Sequence, residues 1–184
     1  MDRDLVVRAR EGDHDAFAQL VARSIGRLNA VARLILNDYA RAEDAVQDAF
    51  VDAWRDLRGL RDPDRFDAWL NRILVRACQN VRRRDRRRQT FEISLVTEGP
   101  ASSDAQSQVA NSDLLERGLR RLTIEQRSVL VLTYYLDLPQ AEAAATIGIP
   151  VGTLKSRLSR AIDALRAELA ADDRRQHQRA EQPA

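Results

Sequence analysis

The chain has 184 residues, 44% hydrophobic and 32% charged, and its 30 basic and 28 acidic side chains leave a net charge of only +2. This allows one large domain or two small ones with real apolar cores, and the small net charge conceals a strong local segregation of sign. The one cysteine excludes an internal disulfide and a Cys-rich zinc site, the two histidines lie far apart, and no apolar run reaches membrane-spanning length.

Lys155 is the only lysine, so arginine carries nearly all the positive charge. The N-terminal MDRDLVVRAREGD is charged, unlike a signal peptide, so a cytoplasmic protein is expected.

The first helices carry Leu5, Val6, Phe17, Leu20, Val21, Ile25, Leu28, Val31 and Ile35 at helical spacing, with a break and an N-cap at Gly12-Asp13. A helix over about 41–57 buries Ala42, Ala45, Val46, Ala49, Phe50, Ala53, Trp54 and Leu57. Its other face shows Glu43, Asp44, Gln47, Asp48 and Asp52. Like charges keep such a stripe off DNA; it is either a solvated face or a docking surface for a basic protein.

A loop, RGLRDPDRF, is marked by Gly59 and Pro63. The helix from Asp67 to about Arg88 buries Trp69, Leu70, Ile73, Leu74, Ala77 and Val81. Cys78 lies within that pattern and reads as a packed, inert thiol. Arg72, Arg76, Gln79 and Arg83 stack on one side, beside Asn80, and Arg83 is one of the six arginines of RRRDRRR, Arg82 to Arg88. Such a helix end grips phosphates without reading sequence; a solubilising cap and an anionic lipid contact are the weaker alternatives.

Residues 90–111 form a flexible polar linker whose roughly 22 residues span at most about 75 Å, so the flanking modules need not touch. FEISLV, at its start, is the one candidate for a short extended piece. Leu114, Leu115, Leu119 and Leu122 share a face, and Thr123 with Gln126 forms a capping box for a helix to about Leu136.

Residues 138–161, LPQAEAAATIGIPVGTLKSRLSRA, then read as a helix-turn-helix. Ala144 permits close helix approach, Gly148 ends the first helix, and Pro150 starts the second. Leu154, Leu158, Ala161, Ile162 and Leu165 are its buried face. Thr153, Lys155, Ser156, Arg157, Ser159 and Arg160 point the other way, with no acidic side chain before Asp163. A plain helical hairpin is the alternative; the single sign of the exposed face favours DNA. After Leu169 the tail, 171–184, loses its apolar period and is expected to fray.

Taken in order, AEDAVQDAFVDAWRDL, FDAWLNRILVRACQNVRRR, the polar linker and LTIEQRSVLVLTYYLDLPQAEAAATIGIPVGTLKSRLSRA resemble an extracytoplasmic-function (ECF) sigma factor of bacterial RNA polymerase. The resemblance implies an all-α chain of two small helical domains: region 2 over 1–89, and region 4 with its helix-turn-helix over 112–170. It implies core RNA polymerase as partner, through the β′ clamp helices and the β subunit, together with double- and single-stranded promoter DNA and an anti-sigma factor. It implies no catalytic residue, metal, cofactor or membrane insertion.

Residue by residue, the resemblance places Asp44, Gln47, Asp48 and Asp52 on core polymerase. It places Arg61, Arg65, Arg72, Arg76, Gln79, Asn80 and Arg83 on the unwound −10 strand, and Thr153, Lys155, Ser156, Arg157, Ser159 and Arg160 on the −35 element. Lys155, Ser156, Ser159 and Arg160 are expected at base edges, and Thr153 and Arg157 at phosphates. The chain departs from the common pattern at Pro139-Gln140-Ala141, where relatives carry a Ser-Tyr-Glu type of sequence, at Arg76, which is often Asn, and at the small Ser159.

The rival reading is a helix-turn-helix regulator that never joins polymerase; it predicts a dimer seam or ligand pocket in the N-terminal half, and neither is evident. A metal-dependent nuclease needs paired carboxylates beside a basic site, and the acidic stripe lies apart from the arginines. The linker composition makes a direct prediction: limited proteolysis cuts first between Gly99 and Gln108 and leaves two helical fragments. First cleavage inside either module would move the boundary.

Overall fold

The computed structural model describes residues 3–92 and 118–180, apart from the side chains of 82–92 and 172–180. Helix α1 spans Arg3–Arg10, α2 His14–Leu36, α3 Tyr39–Asp56 and α4 Phe66–Glu92. Two 3-10 turns, Leu57–Gly59 and Pro63–Arg65, link α3 to α4. After a short helical turn at 118–120, α5 (Ile124–Leu130) runs into a π-helical turn, Val131–Tyr135. Helices α6 (Gln140–Ile147) and α7 (Val151–Ala180) follow. No strand occurs among the described residues, and the fold is all-α.

The local chemistry explains the helix ends. Asp13 caps α2 by accepting the Ala16 N–H at 2.9 Å, and it pairs with Arg8 Nη2 at 2.6 Å. The Ala16 hydrogen bond first, and Arg8 second, hold its carboxyl below the usual range. Asn37 ends α2 in the left-handed region at φ 53°, its N–H reaching Arg33 O. Asp38 caps α3 through the Arg41 N–H. At α5 both bonds of the capping box form: Gln126 N–H to Thr123 Oγ1 at 3.2 Å, and Thr123 N–H to Gln126 Oε1 at 2.9 Å.

Three expectations need correction. Ile25 is 42% exposed, because the N-terminal half of α2 buries only a narrow arc through Ala16, Leu20, Ser24 and Leu28; the arc reaches Ile25's side only farther along, at Ala32 and Leu36. Phe91 and Glu92, the start of the candidate extended piece, continue α4; the Arg- and Gln-rich stretch before them favours helix. The described part of the tail is helical: α7 runs on to Ala180, through a stretch rich in Ala, Arg and Gln, and residues 181–184 lie outside the described residues. The rest of the proposed linker lies outside the described residues.

The linker leaves open whether the two modules touch, and in the structure they pack together. Helix α4 lies against α2 and α3 on one side and against α5 and α6 on the other, and α2 also meets α5 and the π-turn. Buried residues from both modules form one continuous apolar cluster. The burial pattern of α4 records this double packing. Leu70, Asn71, Ile73, Leu74, Val75, Ala77 and Cys78 are all buried, an arc of about 200° at 100° per residue. A helix packed on a single core buries a much narrower stripe.

Cys78 sits at 0% exposure in that arc, and burial pushes its thiol up to about 12. At pH 8 its thiolate fraction is then about one part in ten thousand. The folded chain should therefore take up no iodoacetamide at pH 8 over an hour, and one equivalent after denaturation. Rapid labelling of the native chain would mean that this arc opens freely.

Candidate nucleic-acid interface

The exposed remainder of α4 is a polar strip. Arg76 and Asn80 are exposed, Arg72 and Gln79 half-buried, and all four lie within about 100° of arc on the side away from the core. The sequence places Arg83 on the same strip, although its side chain is outside the described set. Just before α4, Leu60 and Phe66 are buried and pin the loop, which leaves Arg61 and Arg65 exposed between them. Asp62 shapes the loop by accepting the Asp64 N–H at 3.1 Å and lying 3.9 Å from Arg65.

Sequence reasoning missed the residue that orients this strip. Arg27, on α2, donates to Asn71 Oδ1 at 2.6 Å and to Asp67 Oδ1 at 2.7 Å, both on α4. The fork fixes the first turns of α4 against α2. Its signal was weak: an arginine forty residues from its partners leaves no local pattern.

In the helix-turn-helix, Gly148 closes α6 at φ 77°, its N–H bonding Ala144 O at 2.9 Å, and the Ile149 N–H reaches the same carbonyl at 3.0 Å. Both satisfy a helix-end carbonyl that would otherwise lack a partner. At the other end no side chain caps α6; the Pro139 carbonyl accepts from Glu142 and Ala143 instead. With Pro139-Gln140-Ala141 the helix starts on a fixed proline rather than on a side-chain cap.

Leu154, Leu158 and Ala161 of α7 are buried, and Gly152, Lys155, Ser156, Ser159 and Arg160 are exposed. Thr153 and Arg157 are half-buried at the edge of that face. Arg160 folds back along its own helix, Nε donating to Ser156 O at 3.1 Å and Nη2 to Ser156 Oγ at 3.4 Å. Gln140, which is not among the expected DNA contacts, lines a shallow groove with Lys155 and Ser159. Asp163 lies one turn beyond Ser159 and pairs loosely with Arg166, so negative charge bounds the basic stretch.

On α3, Asp44, Gln47 and Asp52 are exposed and Asp48 is half-buried. Val51 stands among them at 49% exposure. The stripe is therefore acidic with an apolar centre. No described group of His, Cys, Asp or Glu has the arrangement of a metal site, and no described helix is long and apolar enough to cross a membrane.

Comparisons with known proteins cover both modules. Residues 20–88 match the family profile for Sigma-70 region 2, and residues 112–165 that for Sigma-70, region 4. The chain is 34% identical over 169 residues to the ECF RNA polymerase sigma factor SigM of Mycobacterium tuberculosis (strain ATCC 25618 / H37Rv), covering 92% of this chain and 83% of that one. It is 37% identical to the RNA polymerase sigma factor CnrH of Cupriavidus metallidurans over 185 residues, covering 93% and 95% of the two chains. Among solved structures, CnrH in complex with the cytosolic domain of CnrY aligns at a TM-score of 0.63 with 34% identity, over 93% and 98% of the chains. The sigma factor RpoE of Bartonella quintana, in complex with the anti-sigma factor NepR, aligns at 0.71 with 28% identity, over 85% and 98%.

Two glycines on either side of the turn separate its geometry from its surface. Gly148→Ala forces a Cβ into the left-handed region and should destabilise the chain by about 1–2 kcal/mol. Gly152 has open space about its Cβ position and ordinary helical φ, so Gly152→Ala should stabilise by up to about 1 kcal/mol. Urea melts of both variants check this; equal effects would contradict the left-handed cap.

Proposed function

Because the chain belongs to the extracytoplasmic-function sigma factors, we propose that it joins core RNA polymerase, recognises promoters and starts transcription, and that an anti-sigma factor holds it until a signal releases it. The observation that carries this reading is the pair of matches, region 2 over 20–88 and region 4 over 112–165, in one chain. A helix-turn-helix regulator independent of polymerase has no use for region 2. All bond making is left to the polymerase; this chain supplies surfaces and acts in the cytoplasm where polymerase works. The similarity to two sigma factors solved with bound regulators supports the anti-sigma part.

The surfaces divide the work by sign. The stripe of Asp44, Gln47, Asp48 and Asp52 docks on the basic clamp helices of the β′ subunit, with Val51 adding apolar contact. Arg61 and Arg65 of the loop and Arg72, Arg76, Gln79, Asn80 and Arg83 of α4 hold the unwound −10 strand, arginines gripping the backbone while unstacked bases meet the polar groups. On α7, the exposed Lys155, Ser156, Ser159 and Arg160 read −35 base edges in the major groove. Thr153 and Arg157, at the rim of that face, hold phosphates. Arg160 leaves Ser156 to do so, exchanging an intrahelical bond for a guanine edge.

Reconstitution with purified core polymerase tests the reading: the chain should direct initiation at discrete start sites that core alone does not use. Asp44→Arg, at an exposed position away from the core, should keep its helicity but fail to co-purify with core. In holoenzyme, Arg160→Ala should weaken binding to the preferred −35 sequence by about 1–3 kcal/mol and relax one base pair. Arg157→Ala should weaken all sequences alike and reduce the salt slope by about one. Normal core binding by Asp44→Arg would remove the docking assignment, and a uniform loss in Arg160→Ala would remove its base-reading role.

A further inference from the structure

Two places where the helix-turn-helix departs from the common family pattern, Pro139-Gln140-Ala141 and the small Ser159, meet in space. Lys155, Ser159, Asp163 and Arg166 follow one another at three- and four-residue steps and so share one side of α7. Gln140, the first residue of α6, lines the same shallow groove from the neighbouring helix, and Leu158 and Ile162 complete it. Gln140 and Ser159 are both exposed. The Pro139 carbonyl, accepting from Glu142 at 2.8 Å and Ala143 at 2.9 Å, anchors the backbone from which the Gln140 side chain extends.

The chemistry of this groove suits a base edge better than a phosphate. Lys155 and Arg166 attract a phosphate, but Asp163 lies beside them and repels it. A base edge carries donors as well as acceptors and tolerates a carboxylate nearby. A carboxamide matches such an edge: its oxygen accepts from adenine N6 while its amino group donates to N7. Ser159 gives Gln140 its access. A serine side chain ends one atom beyond Cβ, so the wall that α7 contributes is low at this point. A larger side chain there stands between Gln140 and the DNA. Lys155 and Ser159 are among the residues assigned to base edges, so the edge that meets them also faces Gln140.

On the reading that α7 enters the major groove of the −35 element, on which this inference rests, we propose that Gln140 is a further base-reading residue. Its carboxamide recognises the adenine of one A·T pair beside Ser159. The preference at that position is then set by Gln140 and Ser159 together, across two helices, rather than by α7 alone.

The test uses holoenzyme reconstituted with the full chain and a panel of promoters carrying every single base-pair change in the −35 element. The parent should prefer A·T at one position where Gln140→Ala is nearly indifferent. Discrimination there should fall about tenfold, with the other positions unchanged. Gln140→Glu keeps the length of the side chain but leaves it only acceptors. Its preference at that position should move from A·T to C·G, where cytosine N4 is the donor. Loss of structure does not exchange one base preference for another. Ser159→Phe fills the groove, so in that background Gln140→Ala should change nothing further at that pair.

Uniform weakening on every sequence by Gln140→Ala, which marks a phosphate contact, overturns the base-reading role. So does a parental profile in Gln140→Glu. Full additivity of Gln140→Ala and Ser159→Phe overturns the pairing of the two residues. Selection by the free full chain from duplexes randomised across the −35 window repeats the comparison without polymerase. If the chain fails to join core and its selected sequences still move from A·T to C·G with Gln140→Glu, the sigma reading falls and the base-reading role stands. If initiation is normal and neither the panel nor the selected sequences respond to Gln140, only the base-reading role falls.

Discussion

Helix α4 is the element around which everything else is arranged. Its buried arc is wide enough to serve two apolar surfaces, one from α2 and α3 and one from α5 and α6. Burial of roughly half a dozen aliphatic side chains supplies the driving force, and each fully buried one contributes about 1.5–3 kcal/mol. What is left over on α4 is a strip of about 100°, and that strip holds arginine, glutamine and asparagine. The same packing that builds the core therefore confines the polar groups of α4 to one line, and the Arg27 fork sets the line's direction.

Charge does the sorting that packing cannot. An acidic stripe on α3 and basic faces on α4 and α7 coexist in a chain of net charge +2. Each repels what the other attracts, so each is suited to a different class of partner. The boundary is sharp even within one helix, where Asp163 follows the basic turn of α7. Specific recognition on such a surface rests on few side chains; most of the positive charge sets affinity and register.

The contact between the modules is of a different quality from the core within each. The core is aliphatic and closely packed around Leu20, Leu28, Leu70 and Leu74. The inter-module contact is apolar along α4 but also includes Arg127, which reaches across to one carbonyl, Leu36 O, and it brings together elements that carry buried polar atoms with no partner among the described residues. Buried polar groups left partly satisfied weaken a contact in proportion to their desolvation. Such a contact is suited to forming and breaking, whereas the cores on either side stay intact.

The helices, their caps and the helix-turn-helix were legible in the sequence because each rests on local physics. Periodic leucines and alanines mark buried faces, Asp13 and Thr123 cap by reaching three residues ahead, and Gly148 takes a backbone conformation that few other residues tolerate. The sign of each exposed face was legible for the same reason: spacing on one helix determines which charges share a side. Packing of the modules on each other, the Arg27 fork and the burial of Arg127 were not. Arg127 lies on the buried register of α5 beside Leu130 and Val131, a misplaced charge that hints at a carbonyl partner without saying which. Its partner, Leu36 O, is a backbone atom 91 residues away, and a backbone carbonyl leaves no trace in a side-chain pattern. Local periodicity determined what each helix offers; only the tertiary structure decided which helix accepts it, because that choice depends on contacts between residues far apart in the chain.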